Sequence, residues 1–352
     1  FVKPPANLTT AKGYAGIDVR YKQVPPGICE QDPNVKSYSG YADVGENEHI
    51  FWWFFEARNQ NTTTAPLTVW INGGPGSSSM IGLFQELGPC FVAEDGTPYN
   101  NPYSFSNASN MLFIDQPTQV GFSYSIPVPG FKDGNSGNLV RLPNNTCPEY
   151  ASDWSCGTYS YPNETLTANS TPAAAPNFWK TLQGFMGAFP QYSRDGFYFT
   201  TESYGGHYGP IFNEYILEQN AKNITGAKKI NLEGVLIGNG WYDPLLQYKA
   251  YYDYIVWGNT YDYFPLNTSI VSYMYNGMFG PGNCHDMIVD CNTRGINEIC
   301  SYADNFCYAN VENVYDIYTG RDEYDMRFLT PDPFPPTFYV DYLNTPKVQV
   351  RQ

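Results

Sequence analysis

The run Phe197-Tyr-Phe-Thr-Thr-Glu-Ser-Tyr-Gly-Gly-His-Tyr-Gly-Pro210 decides how the rest of the chain is read. A β-rich approach leads into Glu202-Ser203-Tyr204-Gly205-Gly206, and Gly209–Gln219 then has the composition of a helix. A serine on a sharp strand-to-helix turn presents its hydroxyl, and the helix N-terminus behind it favours developing negative charge. Small neighbours let such a turn close. Two positions before the serine stands Thr201, so the bare G-x-S-x-G pattern is broken. Taken alone, the segment equally suits a serine that only caps a helix.

Working outward, Trp70-Ile-Asn-Gly-Gly-Pro-Gly-Ser-Ser-Ser79 follows the short apolar run Leu67–Ile71. Backbone N–H groups in such a glycine-rich turn can converge on one oxygen, as an oxyanion hole requires, although a plain turn would have the same composition. Met111–Ile114, Phe197–Thr201 and Val235–Ile237 are also short apolar runs, the pattern of central strands buried on both faces. Lys36–Val44 and Ile50–Ala57 flank Gly45-Glu46-Asn47-Glu48 and predict an antiparallel hairpin. Helices are expected at Met80–Glu86, Asn177–Phe189 and Gly209–Gln219. Strands alternating with helices predict an α/β fold with a mixed, mostly parallel central sheet.

Residues 1–35 read as an irregular lead-in. The core is expected to span 1–244, with a decorated surface excursion at about 126–176. Residues 245–335 lack comparable apolar runs and read as an inserted, cysteine-rich cap. Residues 336–352 begin a return to the core. Cys284, Cys291, Cys300 and Cys307 are spaced symmetrically, which predicts nested pairs 284–307 and 291–300. Cys147 and Cys156 lie across the excursion and are expected to pair, although eight cysteines allow 105 connectivities.

The net charge of −15 and pI near 4.5 argue against nucleic acid or anionic membranes as partners. Sequons begin at Asn7, Asn61, Asn107, Asn144, Asn163, Asn169, Asn223 and Asn267. With the even cysteine count and a chain opening on Phe1, they predict a glycosylated, disulfide-bonded protein of the secretory route, secreted or vacuolar. No apolar run is long enough to span a bilayer, so a soluble protein is expected. No metal-ligand spacing is present, and no metal or cofactor is expected.

Together the motifs resemble the serine carboxypeptidase family of α/β-hydrolases. The matching pieces are Asn72-Gly-Gly-Pro-Gly, Phe84-Gln-Glu-Leu-Gly-Pro89, Leu112-Phe-Ile-Asp-Gln-Pro117 with Gly121-Phe-Ser-Tyr124, Glu202-Ser-Tyr, and Ile237-Gly-Asn-Gly-Trp-Tyr-Asp-Pro-Leu-Leu-Gln-Tyr248. They follow in family order over most of the chain, most closely in the manner of fungal carboxypeptidase S1-type enzymes. The resemblance implies Ser203 as nucleophile and the N–H groups of Gly74 and Tyr204 as the oxyanion hole. It implies that Asn72 and Glu202 bind the free carboxylate of a peptide, with Glu86 hydrogen-bonded to Glu202. Many relatives carry a disulfide-bonded cysteine where this chain has Ser77, and its absence here assigns Cys29 to Cys90.

A peptide carboxylate is repelled by an ionised glutamate, so Glu202 is expected to be protonated. A second carboxyl at Glu86 sharing the proton would raise the pair's pKa, favouring activity in acid. A triad also needs a histidine and a carboxylate, in the chain order Ser, Asp or Glu, His. His49 precedes the serine, His207 follows it within the next helix, and His285 neighbours Cys284; none fits. The family carries its histidine and aspartate on later strands, and Asp341–Gln352 resembles the segment before them. This chain alone is therefore expected to be incomplete, lacking the C-terminal strands and needing a companion chain or a longer polypeptide. The expected activity is release of C-terminal amino acids from peptides and proteins through an acyl-enzyme on Ser203. The alternatives are an acyltransferase on the same nucleophile and an inactive homologue that only binds peptide C-termini.

Overall fold

Four consecutive aromatic residues, Trp52-Trp53-Phe54-Phe55, are fully buried, which requires a strand covered on both faces. Side chains alternate along a strand, and here Trp52 and Phe54 enter one apolar core while Trp53 and Phe55 enter another. Burying each such side chain contributes about 1.5–3 kcal/mol. The computed structural model that shows this describes residues 1, 7–151, 155–194, 196–322, 324–330 and 336–349.

The chain opens with an antiparallel ribbon of β1 (Thr9–Lys12), β2 (Asp18–Val24), β3 (Ser37–Gly45) and β4 (Glu48–Phe55). After β5 (Leu67–Ile71) come a short hairpin, β6 (Cys90–Val92) with β7 (Pro98–Asn100), and then β8 (Asn110–Ile114). A small separate sheet follows, made of β9 (Pro127–Lys132), β10 (Leu139–Arg141) and β11 (Cys156–Ser160). Helix α1 (Thr171–Ala188) leads to β12 (Phe197–Glu202), α2 (Gly205–Lys222) and β13 (Leu232–Gly238). The main sheet has the order β1-β2-β3-β4-β8-β5-β12-β13, and β8, β5, β12 and β13 run parallel.

From β5 the chain moves to β8 on one side and later to β12 on the other. Open α/β sheets bind ligands at such a switch point, outside the carboxyl ends of the strands. The Gly-rich turn after β5 and Ser203 after β12 therefore meet at one place.

The chain divides into two compact units, Phe1–Gly240 with Pro336–Gln352, and Trp241–Pro335. The second unit is helical, with α3 (Pro244–Asp253), α4 (Thr268–Phe279), α5 (Cys284–Arg294), α6 (Asn297–Cys307) and α7 (Asn313–Thr319). The chain rejoins the first unit through α8 (Phe338–Leu343) and α9 (Pro346–Gln349), where Tyr339, Tyr342, Leu343 and Val348 pack with Phe84 and Trp53.

Four disulfides close: Cys29–Cys90, Cys147–Cys156, Cys284–Cys307 and Cys291–Cys300. The last two staple α5 to α6. Beside Cys29–Cys90, Arg58 donates to both oxygens of buried Glu30, at 2.8 and 3.0 Å, and to the Asn101 and Pro89 carbonyls.

Several expectations need correction. The lead-in is not irregular, because β1 and β2 extend the sheet; their polar outward residues hide the strand pattern. The excursion at 126–176 folds as β9–β11, and α1 begins at Thr171, six residues before the expected start at Asn177, capped by the Ser170 hydroxyl. The helical unit does have a core, built from Met274, Met278, Ile288, Val311 and Val314 with Tyr248 and Tyr252. Val235–Ile237 is not buried on both faces: β13 is an edge strand, with Val235 and Leu236 exposed by 40% and 52%.

Candidate active site

β12 ends at Glu202 and α2 begins at Gly205, so Ser203 and Tyr204 alone make the turn. Ser203 sits at φ +54°, a left-handed conformation that costs a non-glycine residue about 1 kcal/mol or more. The turn is held by Ser203 N donating to the Gly238 carbonyl at 3.0 Å and Gly206 N donating to the Ser203 carbonyl at 2.9 Å. A Cβ on Gly205 would lie 2.0 Å from Thr201 Oγ1, so glycine is required there. Thr201 itself is buried and its hydroxyl donates to the Ile71 carbonyl at 2.7 Å, binding β12 to β5. The broken serine motif is thus explained by a side chain that ties the two motif-bearing strands together.

The glycine-rich turn packs directly on the serine turn. A Cβ on Gly73 would lie 2.6 Å from Tyr204 N and 2.9 Å from Ser203 Cβ. Gly74 follows at φ +109°. Among the described residues, neither the Gly74 N–H nor the Tyr204 N–H has an acceptor. Two free donors flanking a serine are the requirement for holding an oxyanion.

Asn72, Glu86 and Glu202 come together from three separate segments. Asn72 Nδ2 donates to Glu202 Oε1 at 2.8 Å and to Glu86 Oε1 at 3.3 Å. The two carboxyls thus share one amide donor and lie close enough for the charge of one to act on the other. Among the described residues, no cation pairs with either of them. Burial, and then the charge of Glu202, push the Glu86 carboxyl up to about 8, and burial also raises Glu202. The pair therefore retains a proton near neutrality.

Sequence reasoning missed what orients Asn72. Its Oδ1 accepts from Trp70 Nε1 at 2.8 Å and from Gly82 N at 3.0 Å, which turns the amide so that Nδ2 faces the carboxyls. Trp70 stands two residues before Asn72 on the same strand run, and that spacing was the available signal. A Cβ on Gly82 would lie 2.0 Å from Trp70 Nε1. Gly82→Ala is expected to displace Trp70 and cost about 2 kcal/mol, read by urea unfolding. A loss below a few tenths of a kcal/mol would contradict this account of the glycine.

Each of the three histidines has neighbours of its own. His49 Nδ1 bonds Asp43 Oδ1 at 2.6 Å, and Asp43 is in turn clasped by Arg20 at 2.7 and 2.8 Å. His285 lies in the helical unit, 3.2 Å from Asp286. His207 packs against Tyr204, with ring centroids 4.9 Å apart and planes tilted by 41°, and burial holds its imidazole below the ordinary range. Among the described residues, no imidazole hydrogen-bonds to Ser203. Of the sequon asparagines, Asn7, Asn61, Asn144, Asn169, Asn223 and Asn267 are exposed, while Asn107 and Asn163 are half-buried. Among the described residues, no group of acidic, histidine or cysteine side chains is arranged to hold a metal ion, and no helix is long and apolar enough to cross a membrane.

Comparison with known proteins matches residues 26–138 and 153–351 to the family model for serine carboxypeptidases. Carboxypeptidase S1 of Penicillium janthinellum is 40% identical, over 92% of this chain and 67% of that protein. Carboxypeptidase S1 homolog B of Arthroderma otae is 36% identical, over 99% of this chain and 59% of that protein. The crystal structure of Kex1(delta)p, a prohormone-processing carboxypeptidase from Saccharomyces cerevisiae, superposes with a TM-score of 0.62 at 23% identity. It covers 94% of this chain and 62% of that one, and it shows the shared α/β-hydrolase fold. This chain thus spans about three fifths of the length of relatives such as homolog B.

Proposed function

The chain belongs to the serine carboxypeptidase family, and from that premise we propose that it carries the nucleophile and the carboxylate clamp of an enzyme releasing C-terminal amino acids from peptides. The observation that carries the reading is the convergence of a strained Ser203 with Asn72, Glu86 and Glu202 at one sheet switch point. Ser203 Oγ attacks the last peptide carbonyl and loses its proton to a general base. The N–H groups of Gly74 and Tyr204 hold the oxyanion, and the C–N bond breaks as the leaving amine takes a proton. Water then attacks the acyl-serine ester and frees the shortened peptide. Asn72 and the protonated pair Glu86–Glu202 hold the terminal carboxylate, which distinguishes an exopeptidase from an endopeptidase. Retention of that proton favours work at acidic pH.

The general base and its orienting carboxylate come, in this reading, from a companion segment outside these 352 residues. The lack, among the described residues, of any imidazole hydrogen-bonded to Ser203 supports it. So does the open edge at β13, with Val235 and Leu236 exposed, where further parallel strands can pair. The disulfides and the exposed sequons support export, to the outside or to a vacuole, with glycans on those asparagines.

The test is a serine-directed phosphonate applied to the full-length protein, followed by peptide mass mapping. One adduct per chain is expected, on Ser203, with at least tenfold slower labelling of the 352-residue chain alone. Full-length protein that is folded yet unlabelled would overturn the enzymatic reading and leave a binder of peptide C-termini.

A further inference from the structure

We infer that Asp115, a residue outside the nucleophile, the oxyanion donors and the carboxylate clamp, is a positioning residue for the turn that carries the oxyanion donor Gly74; the inference rests on the reading of this site as hydrolytic. Asp115 follows β8 directly and is completely buried. One oxygen, Oδ1, accepts from the Ser78 hydroxyl and from Ser79 N, both at 2.8 Å. The other, Oδ2, accepts from Phe122 N at 2.8 Å. A single carboxylate thus binds the exit of the glycine-rich turn and the following 118–124 loop to the end of a central strand. Gly121 leaves room for it, since a Cβ there would lie 2.1 Å from Asp115 Oδ2.

The hold continues towards the serine. Ser79 Oγ donates to the Ile114 carbonyl at 2.5 Å and accepts from Asn72 N at 3.2 Å, and Ser77 N donates to the Gly73 carbonyl at 3.2 Å. Gly73 and Gly74 are therefore suspended between an entry fixed by Ser79 and an exit fixed by Asp115. Their other neighbour is the Ser203–Tyr204 turn itself. Any shift of the exit moves the Gly74 N–H relative to Tyr204 N.

Energetics point the same way. Among the described residues, Asp115 has no cationic partner, only neutral donors. Burial pushes its carboxyl up to about 6 against the three hydrogen bonds. Burying an unpaired carboxylate is an expensive way to brace a loop, and an amide or hydroxyl would cost less. What the carboxylate offers is an acceptor on both oxygens, so that three donors from two loops converge without a competing N–H.

The test is Asp115→Asn in the full-length protein. The amide turns one N–H₂ group towards Ser79 N and Ser78 or towards Phe122 N, which splays one of the two loops. Asn72 keeps its side-chain anchors on Trp70 and Gly82, so substrate binding is spared. Hydrolysis of a blocked dipeptide is expected to fall 10- to 100-fold in kcat, with KM changed less than threefold. Amide exchange in peptides covering 77–81 and 120–124 is expected to rise at least tenfold, with β4 unchanged. Ser78→Ala, a milder change that leaves the buried carboxylate in place, is expected to lower kcat three- to tenfold and decides the matter if Asp115→Asn does not fold. A kcat within twofold of the parent, or a loss residing wholly in KM, would overturn the inference. Failure of the unmodified protein to hydrolyse the dipeptide would instead overturn the hydrolytic reading, leaving the exchange measurement to judge the hold of Asp115 on both loops.

Discussion

Ser203→Gly is expected to lower kcat of the full-length protein by about ten-thousand-fold or more while making the fold more stable. The loss follows from removing the nucleophile: mutants of comparable sites retain only the turnover supplied by binding and the oxyanion donors. The gain follows from the backbone, because Ser203 is held at φ +54° and glycine adopts that conformation without a Cβ penalty. About 0.5–1 kcal/mol is expected, read as a higher midpoint in chemical unfolding of either the 352-residue chain or the full-length protein. Ser203→Ala, which keeps the Cβ, should lose activity equally and gain little stability. Equal stability of the two variants would show that the turn stores no strain.

Glu86→Gln combined with Glu202→Gln is expected to remove the alkaline limb of substrate binding. In the parent, both carboxyls titrate above their ordinary range, and the last proton leaves near pH 8. Each proton lost adds a negative charge beside the substrate carboxylate, so KM should rise about tenfold between pH 8 and 9. The double amide has no proton to lose, and its KM should vary less than threefold from pH 6 to 9. A C-terminally amidated peptide, which brings no charge, should show no such limb with either protein. Stability carries the same sign. Groups with raised folded-state pKa values favour the folded state fully below the ordinary carboxylate range, and that contribution is lost as pH rises through 8. The parent should lose stability from about pH 5 to 8 relative to the double amide. Parallel KM profiles for the two proteins would remove the clamp from the account of specificity.

Much of this site was legible because its parts lie at the ends of short apolar runs. Leu67–Ile71 and Phe197–Thr201 announce buried strands, and Asn72, Gly74 and Ser203 follow them at once. The meeting of Glu86 with Glu202 was readable only through motif order, since nothing local to either glutamate marks it. The orienting contacts stayed hidden, because Trp70 and Gly82 look like core and turn residues until the Asn72 amide is seen between them. The role of Asp115 within the Leu112–Pro117 motif stayed hidden, because its donors come from two separate loops, one of them far upstream at Ser78 and Ser79. The edge strand β1 and its neighbour β2 were invisible for a different reason. Thr9–Lys12 and Asp18–Val24 are mostly polar, and a strand that buries one side weakly leaves little period to detect. The helical unit was misjudged because its core residues, from Tyr248 and Tyr252 to Met274, Met278, Val311 and Val314, are spaced at helical intervals without a continuous run.

The members of the proposed clamp satisfy one another. Asn72 gives both amide hydrogens to Glu86 and Glu202, and its oxygen is spent on Trp70 and Gly82. If the clamp binds a substrate carboxylate as proposed, that group enters by exchange: for each hydrogen bond it gains, one between protein groups is surrendered. The net gain is small for any ligand that merely fills the space, and turns favourable for one that accepts from Asn72 and from the shared proton together. In the proposed function, selectivity for a chain end then arises from what every other group forfeits on entering, and an internal peptide segment, with no anionic oxygen to offer, leaves the clamp better closed on itself.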